Sequence, residues 1–158
     1  MSQNDALREQ IAKLLEWQDA HATFDAAVEG LPPELRGRTV EGAPYSAWQL
    51  LEHIRIAQAD ILEFSVSSEY GEKRWPDDYW PDAPEPPSPE AWDRSIEAYH
   101  VDRRALQYLA RNPEIDLFAP IPHGEGQTYL RELLLVADHT AYHVGEMILL
   151  RRLLGAWR

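Results

Sequence analysis

Asp138-His139-Thr140-Ala141-Tyr142-His143-Val144-Gly145-Glu146 lies in the middle of an apolar run that Thr128 opens and Gly155 closes. At about 3.6 residues per turn the run forms one long helix, and its second histidine lies about 40° around the axis and about 6 Å along it from the first. Both imidazoles therefore lean toward one point. Two ligands from one helix and a third from elsewhere is the plan of many zinc and iron sites, and His53 is the third candidate. With His139 set at zero, Glu132, Leu135, Val136, His143, Glu146 and Leu150 fall within roughly 60° of it, while Leu130, Ala137, Ala141, Val144 and Ile148 occupy the opposite side. A helix that is apolar nearly all round belongs at the centre of a bundle or between a bundle and a second subunit. Ala137, Ala141 and Gly145 allow close approach by either kind of neighbour.

Three further helices are read outward from this one. The first is expected over about Asp5 to Glu29, with Leu7, Ile11, Leu14, Leu15, Phe24 and Val28 as its apolar stripe and Gly30-Leu31-Pro32-Pro33 as its stop. The second begins at Ser46, a capping residue, and runs to about Ser67 through Leu50, Leu51, Ile54, Ala57, Ile61 and Phe64. Between Gly71 and Pro89 lies a long loop with Trp75, Pro76, Tyr79, Trp80 and five more prolines, too rigid and aromatic for a flexible linker. Ser88-Pro89-Glu90 then opens a third helix, with Ser88 as cap, which Asn112-Pro113 ends near Arg111. The segment from Glu114 to Gly126 reads as irregular, and Thr128 caps the fourth helix. The expected architecture is an all-α four-helix bundle in a single domain, residues 1–158.

A length of 158 residues with 44% apolar content suits one core. The net charge of −12 repels phosphate backbones and anionic leaflets, which argues against nucleic acid or a membrane surface as partner. Without cysteine there is no disulfide and no thiolate ligand, so a metal must sit on His, Asp or Glu. No apolar core of a secretory signal lies between Met1 and Leu15, and no uninterrupted apolar run reaches about 18 residues. A cytoplasmic protein is expected.

Neutral imidazole is a good ligand for zinc, nickel, copper or iron, and three of them leave a tetrahedral ion one open position for water or substrate. The i, i+4 pair alone is equally compatible with buried histidines hydrogen-bonded to neighbouring side chains. The second helix favours the metal: around His53 its near neighbours by angle are Ser46, Gln49, Ala57, Asp60 and Phe64, a polar strip on an apolar face. Asp60, Asp138 and Glu146 are the candidates to accept from the far ring nitrogens of the ligands. Glu146 has two other readings, a general base for bound water and a solvated glutamate at a helix exit. His21 reads either as a core histidine paired with Asp25 or as a residue lining the site from the first helix. Trp48 and Tyr142 read as packing residues, His100 as a surface residue, and His123 as a loop residue rather than a ligand. Arg151 and Arg152 complement the dipole of their own helix.

Three stretches carry a family likeness: Ala20-His21-Ala22-Thr23-Phe24-Asp25, Ser46-Ala47-Trp48-Gln49-Leu50-Leu51-Glu52-His53-Ile54, and the Asp138 to Glu146 segment. Together with the Pro/Trp-rich loop, the Pro122-His123-Gly124-Glu125-Gly126 loop and the ending Arg151 to Trp157, they make the chain resemble the DinB-like family of metal-binding four-helix bundles. The resemblance implies an up-down-down-up bundle, often dimeric, with a divalent ion (zinc, nickel or iron) on His53, His139 and His143. Relatives with known activity include maleylpyruvate isomerases and bacillithiol S-transferases, in which a low-molecular-weight thiol meets the metal. Where family members often carry glutamine, this chain has Glu146, which adds a negative charge beside the ion. The function so implied is a metal-dependent thiol S-transferase or hydrolase acting on a small molecule, with Tyr79, Trp80 and His21 lining its pocket. The alternative is a non-catalytic, metal-stabilised bundle that binds a ligand or partner.

Overall fold

Ser46 and Thr128 start the two helices that carry the histidines, each by accepting a backbone N–H with its hydroxyl. Ser46 takes that of Gln49, whose side chain accepts the Ser46 N–H in return, a reciprocal capping box; Thr128 takes that of Arg131. In the computed structural model, which describes residues 2–157, α1 spans Gln3–Leu14, α2 Phe24–Val28, α3 Ala47–Val66, α4 Ala91–Arg111 and α5 Tyr129–Leu153. Single 3₁₀ turns occupy Pro33–Leu35 and Asp77–Tyr79, and the described residues contain no strand, only an isolated bridge between Pro120 and Thr128. Met1 and Arg158, the ends of the span read above as one domain, lie outside the described residues.

The expected first helix is in fact two. It stops at Leu14 and restarts at Phe24, where the Thr23 hydroxyl accepts the Ala26 N–H. The reason lies in the phase of the apolar residues. Leu15 and Phe24 are nine positions apart, which at about 100° per residue puts them on opposite sides of a continuous helix. Breaking the helix lets both be buried, Leu15 against α4 and α5 residues such as Leu106 and Val136, and Phe24 stacked on Tyr99 at 3.7 Å. The start of α4 differs too. Its cap is Glu90, which makes no side-chain cap bond, and the Ser88 hydroxyl instead accepts from Arg94 at 3.1 Å.

Two apolar clusters are joined by α5. One gathers Phe24, Val28, Leu51, Ile54, Trp92, Val144 and Met147; the other gathers Ile11, Leu15, Leu106, Leu117, Leu133 and Val136. His139 lies on the stretch of α5 between them, opposite α3. By length and composition α5 is apolar enough to cross a membrane. In this fold it is a packed helix that also carries Glu132, both histidines, Glu146 and Arg151.

Two buried arginines tie helix ends together. Arg8 donates to the carbonyls of Ala110, Asn112 and Ile115 at the end of α4. Arg151 serves the end of its own helix, as its position suggested, and the end of α2 as well. Its Nη1 donates to the carbonyls of Ala27 and Glu29 at the end of α2, at 2.7 and 2.8 Å, and Nε and Nη2 donate to Ala156. Arg152 is exposed, as the simpler role requires.

Candidate metal centre

The side chains of α3 and α5 meet at three imidazoles. His53 Nε2 stands 3.1 Å from His143 Nε2 and 3.0 Å from His139 Nε2, and one ligand atom from each ring falls within 4.8 Å of the others. The far nitrogens identify the tautomers. His53 Nδ1 donates to the backbone carbonyl of Tyr79 at 3.0 Å, and His143 Nδ1 donates to the Glu146 carboxylate at 2.6 Å. Because a neutral imidazole carries one proton, both rings turn an Nε2 lone pair inward. A proton on His139 Nε2 can relieve only one such contact, whereas a cation between the rings accepts all three lone pairs. Ligands about 2.0–2.1 Å from a tetrahedral ion lie about 3.3 Å apart, close to the separations observed here. The donor set and its spacing fit a metal ion.

Burial keeps His53 and His139 in the state that a ligand needs. It pushes the His53 pKa down to about 4, against a smaller upward pull from the Tyr79 carbonyl. It pushes His139 down to about 3, with the facing imidazoles adding to the effect. Both rings are therefore neutral at pH 7.

The loop after α3 closes one side of the centre. Trp80 lies flat on His53, with ring centroids 3.7 Å apart and planes 5° from parallel, and Tyr45 lies on the other face of Trp80 at 3.7 Å and 14°. Asp60 does not touch a histidine. It accepts from the Tyr79 hydroxyl at 2.6 Å, and so holds the residue whose carbonyl holds His53. Burial, reinforced by the Asp60 carboxylate beside its hydroxyl, drives the Tyr70 phenol up to about 12.

The DinB superfamily model matches residues 16–147, a span that contains all three histidines. The chain belongs to the DinB superfamily. Searches of curated proteins and of solved structures returned no match. Membership of the DinB superfamily, an all-helical fold and a three-histidine group that could hold a metal ion are thus established together.

Other expected residues lie elsewhere. His21 is exposed, faces its neighbour Ala22 through Nδ1, and lines a separate apolar cavity of about 480 Å³ with Trp17, Asp138 and Ala141, across α5 from the triad. Asp25 pairs not with His21 but with His100 and, at 3.0 Å, with Arg103, which removes His100 from the free surface. His123 anchors its loop through the Phe64 carbonyl at 2.7 Å. Tyr142 is exposed, not packed, and Asp138 faces outward. Tyr45 had no signal in the sequence beyond being aromatic.

The depressed histidines make the metal-free protein acid-sensitive. An unfolded histidine titrates near 6.5, so as pH falls from there toward 4 the unfolded chain takes up protons that His53 and His139 refuse. Stability is lost over that window, by up to about 1.4 kcal/mol per pH unit for each group. Urea unfolding of the metal-free protein at pH 7.5, 6 and 5 should show this slope, and a His53→Gln/His139→Gln variant should flatten it. An unchanged slope in the variant would contradict the assignment.

Proposed function

We propose that this DinB-superfamily chain is a metal-dependent enzyme of thiol S-transferase or hydrolase type, holding zinc, nickel or iron on His53, His139 and His143 with one coordination position open. The observation that supports this most is the pair of inward lone pairs on His53 and His143, held by the Tyr79 carbonyl and by Glu146. The ion would supply Lewis acidity toward a small thiol or water at the open position. The chain's own residues do the rest. Glu146 holds the Nδ1 proton of His143 and raises the basicity of that ligand, as carboxylates behind metal-bound histidines do. The Trp80–Tyr45 stack covers one face of His53 and keeps water from it.

In this reading the helices follow the up-down-down-up course of DinB-type bundles. The protein is cytoplasmic and acts on a small molecule, with no nucleic acid or membrane as partner. It works as a homodimer, for which the outward stripe Leu134, Tyr142, Leu149 and Leu153 of α5 is the favoured face. One observation favours the non-catalytic alternative: the Glu146 carboxylate is engaged by His143 and is not free to take a proton at the centre.

The test supplies small thiols with electrophiles, and activated esters with water, to protein loaded with zinc, nickel or iron. Metal-dependent turnover is expected, at least a hundred-fold above a His53→Ala control. Turnover no greater than that control, together with a melting point that falls on chelation, would establish the metal-stabilised bundle instead.

A further inference from the structure

One glycine of α5 has no explanation inside the protomer. Gly145 lies in the middle of the helix, exposed, without the left-handed backbone of Gly30, Gly42, Gly126 and Gly155, and a Cβ added to it would meet nothing within 4 Å. A glycine at such a position weakens a helix relative to alanine. Around it runs the exposed apolar stripe of Leu134, Tyr142, Leu149 and Leu153, and the same face carries two exposed charges, Asp138 and Arg152. None of the ion pairs formed by the described residues uses either charge.

The two charges are placed symmetrically. Asp138 precedes Gly145 by seven residues and Arg152 follows it by seven, so each lies about 10.5 Å along the helix and about 20° around it from the glycine. A twofold axis that crosses α5 at right angles beside Gly145 therefore sets Asp138 of one protomer opposite Arg152 of the other, and does so twice. Tyr142 and Leu149 share one flank of the stripe, about 60° and 40° from the glycine, so the same axis brings Leu149 of one protomer against Tyr142 of the other. On the opposite flank Ala141 meets Ile148 in the same way. A parallel pairing would instead set aspartate against aspartate and arginine against arginine. Charge thus selects the antiparallel arrangement, and the glycine leaves room where the two backbones cross most closely.

We propose that two copies of this chain pair antiparallel through α5, with Gly145 on the twofold axis and an Asp138–Arg152 ion pair on each side of it. This rests on the homodimer of the function proposed above and adds its axis, polarity and register.

Because the chain has no cysteine, single substitutions report the axis. Under mild oxidation with diamide, Gly145→Cys should give a disulfide-linked dimer, since its two copies come within the separation of about 4.4–6.8 Å between Cα atoms that a disulfide spans. Leu134→Cys, exposed on the same stripe but eleven residues from the axis, should not, because its copies lie about 33 Å apart. Sedimentation equilibrium supplies a second readout. Asp138→Arg and Arg152→Glu should each weaken the dimer at least ten-fold, and the double variant should return to within three-fold of the parent. A mixture of the two single variants should form a heterodimer, since it sets opposite charges together on both sides of the axis. Gly145→Gln should weaken the dimer at least ten-fold while keeping the helix content, glutamine being the better helix former. A dimer indifferent to these substitutions, or one cross-linked as readily through Leu134→Cys as through Gly145→Cys, would overturn the register and leave the homodimer standing. A parent chain that sediments as a monomer would overturn both. Metal-dependent turnover is read separately, so its presence or absence leaves this pairing to stand or fall on its own.

Discussion

A His139→Ala protein is expected to lose zinc binding by at least a hundred-fold while keeping its helix content. The ring contributes one of three nitrogens to the centre, and its only hydrogen-bond partner among the described residues is His53. Removing it therefore subtracts a ligand without stranding a polar group elsewhere, and His53 and His143 keep their partners in Tyr79 and Glu146. Thermal shift reads the loss. Zinc at about a hundred times its dissociation constant stabilises the native state by about 2.7 kcal/mol, which in a domain of this size raises the melting point by about 5–11 °C. The variant should show no such rise. A variant that shifts as far as the parent would show that zinc binds somewhere other than the triad.

The triad is legible in the sequence because each of its determinants is local or periodic. Four residues of helix bring His139 and His143 together, and the Ser46–Gln49 and Thr128–Arg131 caps, each three residues apart, set where α3 and α5 begin. The break between α1 and α2 carries a weaker mark of the same kind. No proline or glycine announces it, and only the half-turn mismatch between Leu15 and Phe24 does, which a reading that counts apolar residues without following their phase passes over.

What surrounds the histidines follows no spacing rule. The acceptor for His53 is a backbone carbonyl 26 residues away, a group that every residue possesses. Trp80 stacks on His53 and Tyr45 on the far face of Trp80, from segments on either side of α3, and Asp25 finds His100 75 residues away and not the nearby His21. Asp60 shows how far pattern reading carries: its seven-residue offset from His53 correctly places it on the polar side of α3, but its partners come from the folded loop. The periodicity of a helix says which face a carboxylate occupies, whereas tertiary closure decides which donor it meets. That difference is why the His139–His143 pair could be named from spacing and its supports could not.

Arg151→Met should be the most destabilising single change at a distance from the metal centre. The guanidinium is 6% exposed and has no carboxylate hydrogen-bonded to it among the described residues; its charge is set against backbone carbonyls at the ends of α2 and α5, where the negative ends of both helix dipoles lie. Methionine fills much of the same volume but donates nothing, so the carbonyls of Ala27, Glu29 and Ala156 lose their donor together. At roughly 1 kcal/mol for each, the cost is about 3 kcal/mol, or some 6–12 °C in melting point for a domain of this size. Arg151→Lys should recover less than half of this, because one ammonium cannot span the two directions that the planar fork serves. Arg152→Met, one position on and exposed, should change stability by less than about 0.5 kcal/mol. The zinc-induced shift should persist in all three variants, since Arg151 lies about two turns beyond His143. Similar melting points for the Arg151→Met and Arg152→Met proteins would mean that α2 is held by its apolar contacts, Phe24 and Val28, and not by the arginine.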